Sequence, residues 1–408
     1  MRVFSLHFLR FVKPLLALAA LLGAPNAVAA ELLRLGFVSS QSGNAAHRSE
    51  DFTEGFRLGL KNLGGRLGGA EVDLSQSDDQ SDPEKSAAAA RKLIERERVH
   101  LISGPTSPET SLAVAEAVKG DGPIFISPAY GPLQFAGANC RMGFFSLVPS
   151  EEVFAEASAH AFGGENIRPV AALVPQQSDT LRKFADLTKS FLPELALYEA
   201  EAGQLVFDVF LSKLKSEKVQ GIAVYLGGGT AVGFLRQLHR WEMKDGKMLF
   251  ATWPLLEPFH FSALGEAGVG VRAFSPWAED PDNLVSKKFM VDFEDEFRRP
   301  PSSFAALGYD LALLLDQAIR QQGGRVGDRT QLARSIAAVQ LASTRGPLRF
   351  SNNHFAVTPL FLREGGRDAK GRLTAGRKAS ITAPQDRHAH ACPIAAPEPP
   401  PAEPTKKR

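Results

Sequence analysis

The chain has 408 residues, 44% of them hydrophobic, with 47 Lys and Arg against 45 Asp and Glu. A formal charge of +2 gives no basic field that would argue for nucleic acid, so none is expected as a partner. Two cysteines, Cys140 and Cys392, are too few for a small disulfide scaffold, and the length allows two domains with cores of their own.

The first 29 residues read as a secretory signal peptide. Arg2, Arg10 and Lys13 open it, Pro14 to Leu22 form a short apolar run, and Ala27-Val28-Ala29 is a small-residue cleavage site. The apolar run is too short to span a bilayer, and no cysteine near the cleavage site suggests a lipid anchor. A periplasmic protein, not lipid-anchored, is the expectation.

Apolar runs then alternate with amphipathic stretches. Leu33 to Ser39 reads as a strand. Asp51 to Leu63 reads as a helix, with Phe52, Phe56, Leu60 and Leu63 on one face and Gly64-Gly65 as its stop. Ala70 to Gln76 alternates as a strand does. Asp82-Pro83 caps a helix that runs to about Arg96. Val99 to Ser103 is a strand, Thr106 to Val118 a helix and Pro123 to Ser127 a strand. A second series starts near Ser150, with a helix, a strand at Pro169 to Val174, and a helix from Thr180. Strands follow near Leu197, at Gly221 to Tyr225, at Lys247 to Ala251 and at Gly268 to Phe274. Phe304 to Gln321 is a long amphipathic helix. Gly346 to Phe350 and Thr358 to Arg363 read as a closing hairpin.

This β-α-β order predicts an α/β fold: two doubly wound parallel-sheet lobes joined by multiple crossovers. From Arg372 the hydrophobic periodicity stops and Pro, Ala, Lys and Arg dominate, so 372–408 reads as a disordered tail. His388, His390 and Cys392 in that tail are a weak metal pattern, and no metal or cofactor is expected. With one cysteine in the body and one in the tail, a structural bridge is not expected.

Open parallel sheets bind ligands outside the carboxyl ends of their strands. The segments there are small and polar: Ser40 to Gly43, Gly104 to Ser107 and Pro128 to Tyr130. Thr106 and Ser107 serve equally as helix caps. Gly227-Gly228-Gly229 follows a strand without the Lys of a phosphate loop, so it marks a close ligand approach more than a nucleotide site. No nucleophile–base pair or metalloprotease motif is present, which argues against an enzyme.

The sequence resembles the periplasmic solute-binding proteins of branched-chain amino acid type, the Leu/Ile/Val-binding proteins. The resemblance rests on Asp78-Asp79-Gln80-Ser81-Asp82-Pro83 and on Ile102-Ser103-Gly104-Pro105. Ser42-Gly43 and Gly55, Ile126-Ser127-Pro128, Gly308-Tyr309-Asp310 and Gly346-Pro347-Leu348-Arg349-Phe350 add to it, in that family's order. It implies a two-lobed type I periplasmic binding fold, with residues 30–147 and 275–345 in lobe one and 148–274 and 346–371 in lobe two, a monomer that closes on a small ligand, and delivery to an ABC transporter permease. It also implies that Ser107, Ala129 and Gly131 grip a ligand carboxylate. Arg48 stands where the family has an aromatic residue, and Ser178 roughly where it has a second-lobe Tyr. The Glu that meets an amino group falls near Trp253, with Glu257 a few residues on.

The candidate ligand-binding residues are therefore Ser42, His47, Arg48, Thr106, Ser107, Ala129, Tyr130, Gly131, Ser178, Gly229, Trp253 and Glu257. Arg48 either offers a planar fork for a carboxylate or stands solvated at the rim beside Glu50 or Asp51, and Tyr130 and Trp253 either stack on an aromatic ring or pack the lobe edges. The expected ligand is a small carboxylate, an amino acid or an aromatic acid. Two other functions suit the same fold: ligand sensing for a signalling partner, and activation of a cell-wall enzyme without a small ligand.

Overall fold

The computed structural model describes residues 30–394 apart from 119, 121, 177, 178, 202, 280, 281, 383 and 385. The expected signal peptide and the last part of the expected tail lie outside them.

The first lobe holds strands β1 (Leu32–Ser39), β2 (Arg66–Leu67), β3 (Ala70–Asp78), β4 (Leu101–Ser103), β5 (Ile124–Ser127) and β6 (Phe144–Ser146). Helices α1 (Ala46–Asn62), α2 (Pro83–Lys92) and α3 (Pro108–Ala117) lie between them. The sheet order is β2-β3-β1-β4-β5-β6, parallel except for β2. Connections run outward in opposite directions from β1 and β4, which opens a crevice at the carboxyl ends of those two strands.

The second lobe begins with α4 (Glu151–Gly164), β7 (Val170–Pro175), α5 (Asp179–Phe191), β8 (Ala196–Ala200), α6 (Asp208–Ser216) and β9 (Gly221–Val224). It continues with α7 (Gly228–Arg240), β10 (Met248–Ala251), α8 (Pro258–Leu264) and β11 (Val271–Ser275). The chain then returns to lobe one for α9 (Leu284–Phe297), α10 (Ser303–Gln321), α11 (Arg329–Ala337), β12 (Leu341–Ser343), β13 (Gly346–Phe350) and β14 (Ala356–Val357). Strands β15 (Leu360–Arg367) and β16 (Leu373–Ile381) complete the second sheet, in the order β16-β15-β11-β10-β9-β7-β8. Its switch point lies between β7 and β9.

Local chemistry explains the element ends. The Asp82 carboxylate accepts from the backbone N–H groups of Glu84 at 2.8 Å and Lys85 at 3.0 Å, and Pro83 opens the helix. Asp82→Ala should cost about 1 kcal/mol. A urea midpoint unchanged from the native protein would show the cap to be dispensable. Helix α1 begins five residues before the expected Asp51, because its first turn faces the cleft and carries no apolar periodicity. It packs on α10 with the two backbones nearly touching. A Cβ on Gly55 would meet the Ala305 carbonyl oxygen at 1.9 Å, and one on Gly308 would meet that of Phe52 at 2.0 Å.

Asp310, one turn into that contact, is fully buried with Arg345. Arg345 Nε donates to its carboxylate at 2.7 Å, and the backbone N–H of Thr344 donates to it at 2.8 Å. Arg345 Nη1 donates to the carbonyl of Leu147 at 2.6 Å, on the first crossover between lobes. One ion pair thus joins α10, the β12–β13 turn and the crossover.

Three expectations are corrected. The segment 346–350 does not pair with 358–363. Strand β13 pairs with β12 and β14, and its Phe350 packs on Phe145 of lobe one, while β15 pairs with β11 and β16. The tail is not disordered from Arg372, because β16 adds antiparallel to β15 as the edge of the second sheet. Cys140 and Cys392 do form a disulfide, with Cα atoms 5.7 Å apart. This also removes Cys392 as a metal ligand, and His388 is paired with Glu152. No helix among the described residues is long and apolar enough to cross a membrane.

Candidate functional site

The two switch points face each other across the lobes. On lobe one, a chain of hydrogen bonds fixes the first turn of α1. The Ser40 hydroxyl donates to Asp79 at 2.6 Å and the Ser40 N–H donates to the Ser49 hydroxyl at 3.1 Å. Ser49 and Thr106 share a bond of 3.2 Å, which ties this turn to the loop after β4. Thr106 is buried there as part of the scaffold.

This turn presents His47 and Arg48. The His47 ring stacks on Phe259 of lobe two, centroids 6.0 Å apart, with its Nδ1 3.8 Å from Glu50. Arg48 points inward. Its guanidinium lies over the Phe304 ring at 5.9 Å, within cation–π range. Its Nε is buried without a hydrogen-bond partner. Asp51, a neighbour in sequence, is instead engaged by Arg299 at 2.5 Å. Burial pulls the Arg48 pKa below its ordinary value, with Glu109, Tyr130 and Glu257 opposing that shift. An Arg stays cationic through such changes. His260, on α8 opposite, is pulled down to about 4 by burial first, then by Arg48 and His47, so its ring is neutral near pH 7.

The Phe304 ring beside Arg48 belongs to an aromatic cluster drawn from both lobes. Tyr130, from the loop after β5, meets Phe154 edge-on at 4.7 Å, Phe184 at 5.9 Å and Trp253 at 6.2 Å. Burial pushes its hydroxyl well above the usual phenol range, so it is a neutral donor. Trp253, from the loop after β10, packs on Phe304 at 4.4 Å, and its Nε1–H is buried without a partner. Two unpartnered donors, Arg48 Nε and Trp253 Nε1, thus stand against the same ring, Phe304. A buried donor left unpaired is costly, so such a pair points to a guest that accepts from them.

The other candidate residues are placed differently. Ser107 caps α3: its hydroxyl accepts from the Thr110 N–H at 3.3 Å and shares a 2.9 Å bond with the Thr110 hydroxyl. The Ala129 N–H donates to the Ser127 hydroxyl at 3.1 Å, and the Gly131 N–H donates to the Pro149 carbonyl at 3.2 Å. A Cβ on Gly131 would meet the Phe355 ring at 2.7 Å, so close packing explains that glycine. Ser42 is exposed, and its carbonyl accepts from the Ser81 hydroxyl at 2.9 Å. Gly229 lies in the first turn of α7, with open space where a Cβ would be. Ser178 lies outside the described residues.

Glu257 is fully buried and occupied. Its carboxylate accepts from the Ser303 N–H at 3.1 Å, the Ser303 hydroxyl at 2.5 Å and Arg363 Nη1 at 3.1 Å. Burial raises its pKa, while Arg363 and Ser303 pull the other way. It links α8 and β15 of lobe two to the start of α10, behind the cleft.

Sequence reasoning did not single out Phe259, His260 and Phe304 beside His47 and Arg48, nor the core rings Phe154 and Phe184 against Tyr130. Phe304 alone carried a signal, as the first apolar residue of the long helix.

The sequence pattern of the periplasmic binding protein family matches residues 33–371. A Leu/Ile/Val-binding protein homologue of Brucella melitensis is 23% identical over 375 residues, covering 86% of this chain and 92% of that protein. A solute-binding protein of an ABC transporter from R. palustris, solved with benzoate, has a TM-score of 0.77 at 24% identity, covering 86% of this chain and 98% of its own. A leucine-binding protein from Thermotoga maritima has a TM-score of 0.76 at 20% identity, covering 86% and 99%. The chain belongs to the periplasmic binding protein family, and it shares the two-lobed fold of the Leu/Ile/Val-binding type.

Proposed function

We propose that this protein is the periplasmic substrate-binding component of an ABC importer and that its cleft takes a small aromatic carboxylate. One observation carries the reading: Arg48 Nε is buried and unpartnered, with its guanidinium over Phe304, the ring on which Trp253 packs. A carboxylate would accept from the Arg48 fork, with Trp253 Nε1 as a further donor, and an aromatic ring would stack among Tyr130, Trp253 and Phe304. Glu257, the acceptor nearest the position expected for an amino group, is already engaged by Arg363 and Ser303. An α-amino group buried there would lack a charge partner. The R. palustris protein solved with benzoate is consistent with this ligand class. Closure by contacts from both lobes would trap the ligand, and a permease would receive it from the mature, exported monomer.

A thermal-shift screen tests this with benzoate, 4-hydroxybenzoate and leucine. A ligand at about a hundred times its Kd stabilises the folded protein by about 2.7 kcal/mol, a readable rise in Tm. The aromatic acids should raise Tm and leucine should not. A rise with leucine alone would overturn the aromatic assignment. No rise with any of a broad set of acids, amides and amino acids would overturn ligand binding itself.

A further inference from the structure

The family pattern ends at residue 371, and the chain does not. Strand β16 first extends lobe two. Residues 386–392 then lie against both lobes at once. On the lobe-two side, Arg387 Nη2 is 2.6 Å from Glu156 and His388 Nε2 is 2.9 Å from Glu152, both on α4. The Arg387 guanidinium also covers the Phe191 ring of α5 at 5.0 Å. On the lobe-one side, Asn353 Nδ2 donates to the Ala136 carbonyl at 2.6 Å and reaches Asp386 at 3.4 Å. Cys392 then closes the covalent bond to Cys140, in the loop between β5 and β6.

We propose that residues 386–392 form an interlobe strap, locked by the Cys140–Cys392 disulfide, that holds the lobes in the arrangement in which His47 stacks on Phe259 and Tyr130 meets Trp253, and so sets the open–closed equilibrium of the cleft. The backbone passes between the lobes at the crossovers after β6, β11 and β14. Each is a single strand of chain that rotation about a hinge can accommodate. The strap differs from them. It is anchored by side-chain pairs on α4 and by a covalent bond on lobe one, on the face where α4 leaves the first crossover. Lobe rotation must stretch those pairs or carry the tail with it. A contact present in one arrangement and lost in the other biases the equilibrium by its differential free energy. Severing the strap therefore releases the open state, and it acts without touching the ligand.

The experiment is a spin–spin distance measurement on the ligand-free full-length protein, which does not depend on the ligand's identity. Labels go on Arg91→Cys of α2 and Ser212→Cys of α6, both exposed and on different lobes. With the native disulfide intact, the distance distribution should be narrow. In the Cys140→Ser, Cys392→Ser background it should broaden and gain a longer population, with the open fraction raised about tenfold. Glu156→Gln keeps the disulfide and removes an anchor on lobe two. It should shift the distribution the same way, to a smaller extent, and it serves if the double Ser variant folds poorly. Distributions identical to the native one in Glu156→Gln, or in a folded double Ser variant, would overturn the proposal and leave the disulfide as a staple of the tail alone.

Discussion

Arg48→Ala should weaken binding of the cognate carboxylate more than tenfold, a loss of about 1.5–3 kcal/mol. The expectation comes from the state of the guanidinium before any ligand arrives. Its Nε is enclosed without a partner, and the nearby acidic residues Asp51 and Glu257 are held by Arg299 and Arg363. A charge-assisted, two-pronged bond to a carboxylate would engage that fork, and a neutral methyl group cannot form it. Arg48→Lys keeps the charge and loses the planar fork, so it should fall between the two. The Tm of the ligand-free protein should change little, because the side chain is only half-buried and its Nε satisfies no hydrogen-bond partner, which leaves the contact with the Phe304 ring as the main loss. Titration calorimetry decides the matter: native affinity in Arg48→Ala would place the ligand's charge elsewhere and remove the main support for an acidic guest.

Arg345→Leu should destabilise the fold by about 3–5 kcal/mol, the usual result of stripping one partner from a buried ion pair. Both side chains of the Asp310–Arg345 pair are fully buried. Without the guanidinium, the Asp310 carboxylate would keep only the Thr344 N–H, and the Leu147 carbonyl would lose its donor. The loss should appear as a Tm lower by roughly 5–10 °C, given the few degrees per kcal/mol typical of proteins this large. Adding Asp310→Leu should recover part of it, since an apolar pair of similar size carries no stranded charge. A single variant that melts within a degree of the native protein would show that the pair contributes little.

The alternation of short apolar runs with amphipathic stretches made the two doubly wound lobes legible in the sequence. The parts that were not legible have physical reasons. The first turn of α1 faces the cleft, so its polar residues hid the helix start while placing Arg48 on it. Tyr130 was singled out because it follows a strand, where ligands meet such sheets, and Trp253 through the resemblance; the fold brings their rings to 6.2 Å. Phe304 and Phe259 join them through crossovers and helix starts far along the chain, and no local spacing announces that meeting. The family's carboxylate receptors looked right by position. In the fold, Ser107 caps its helix and the Ala129 and Gly131 amides are bonded internally. Strand β16 escaped notice because an edge strand with one solvated flank needs few apolar residues; from Gly376 to Ile381 it is exposed. The pairing of Cys392 could not be read from spacing, because its partner lies 252 residues away.

That separation bears on how the molecule is made. A chain emerges from the ribosome amino end first, so Cys140 is present long before Cys392. Every strand of both sheets is synthesised before the second sulfur. The bond can therefore close only on a chain that has every described strand, and a product cut short between residues 140 and 392 would keep a lone thiol at Cys140. Oxidation of this one pair therefore reports that synthesis has passed residue 392, beyond the last described strand.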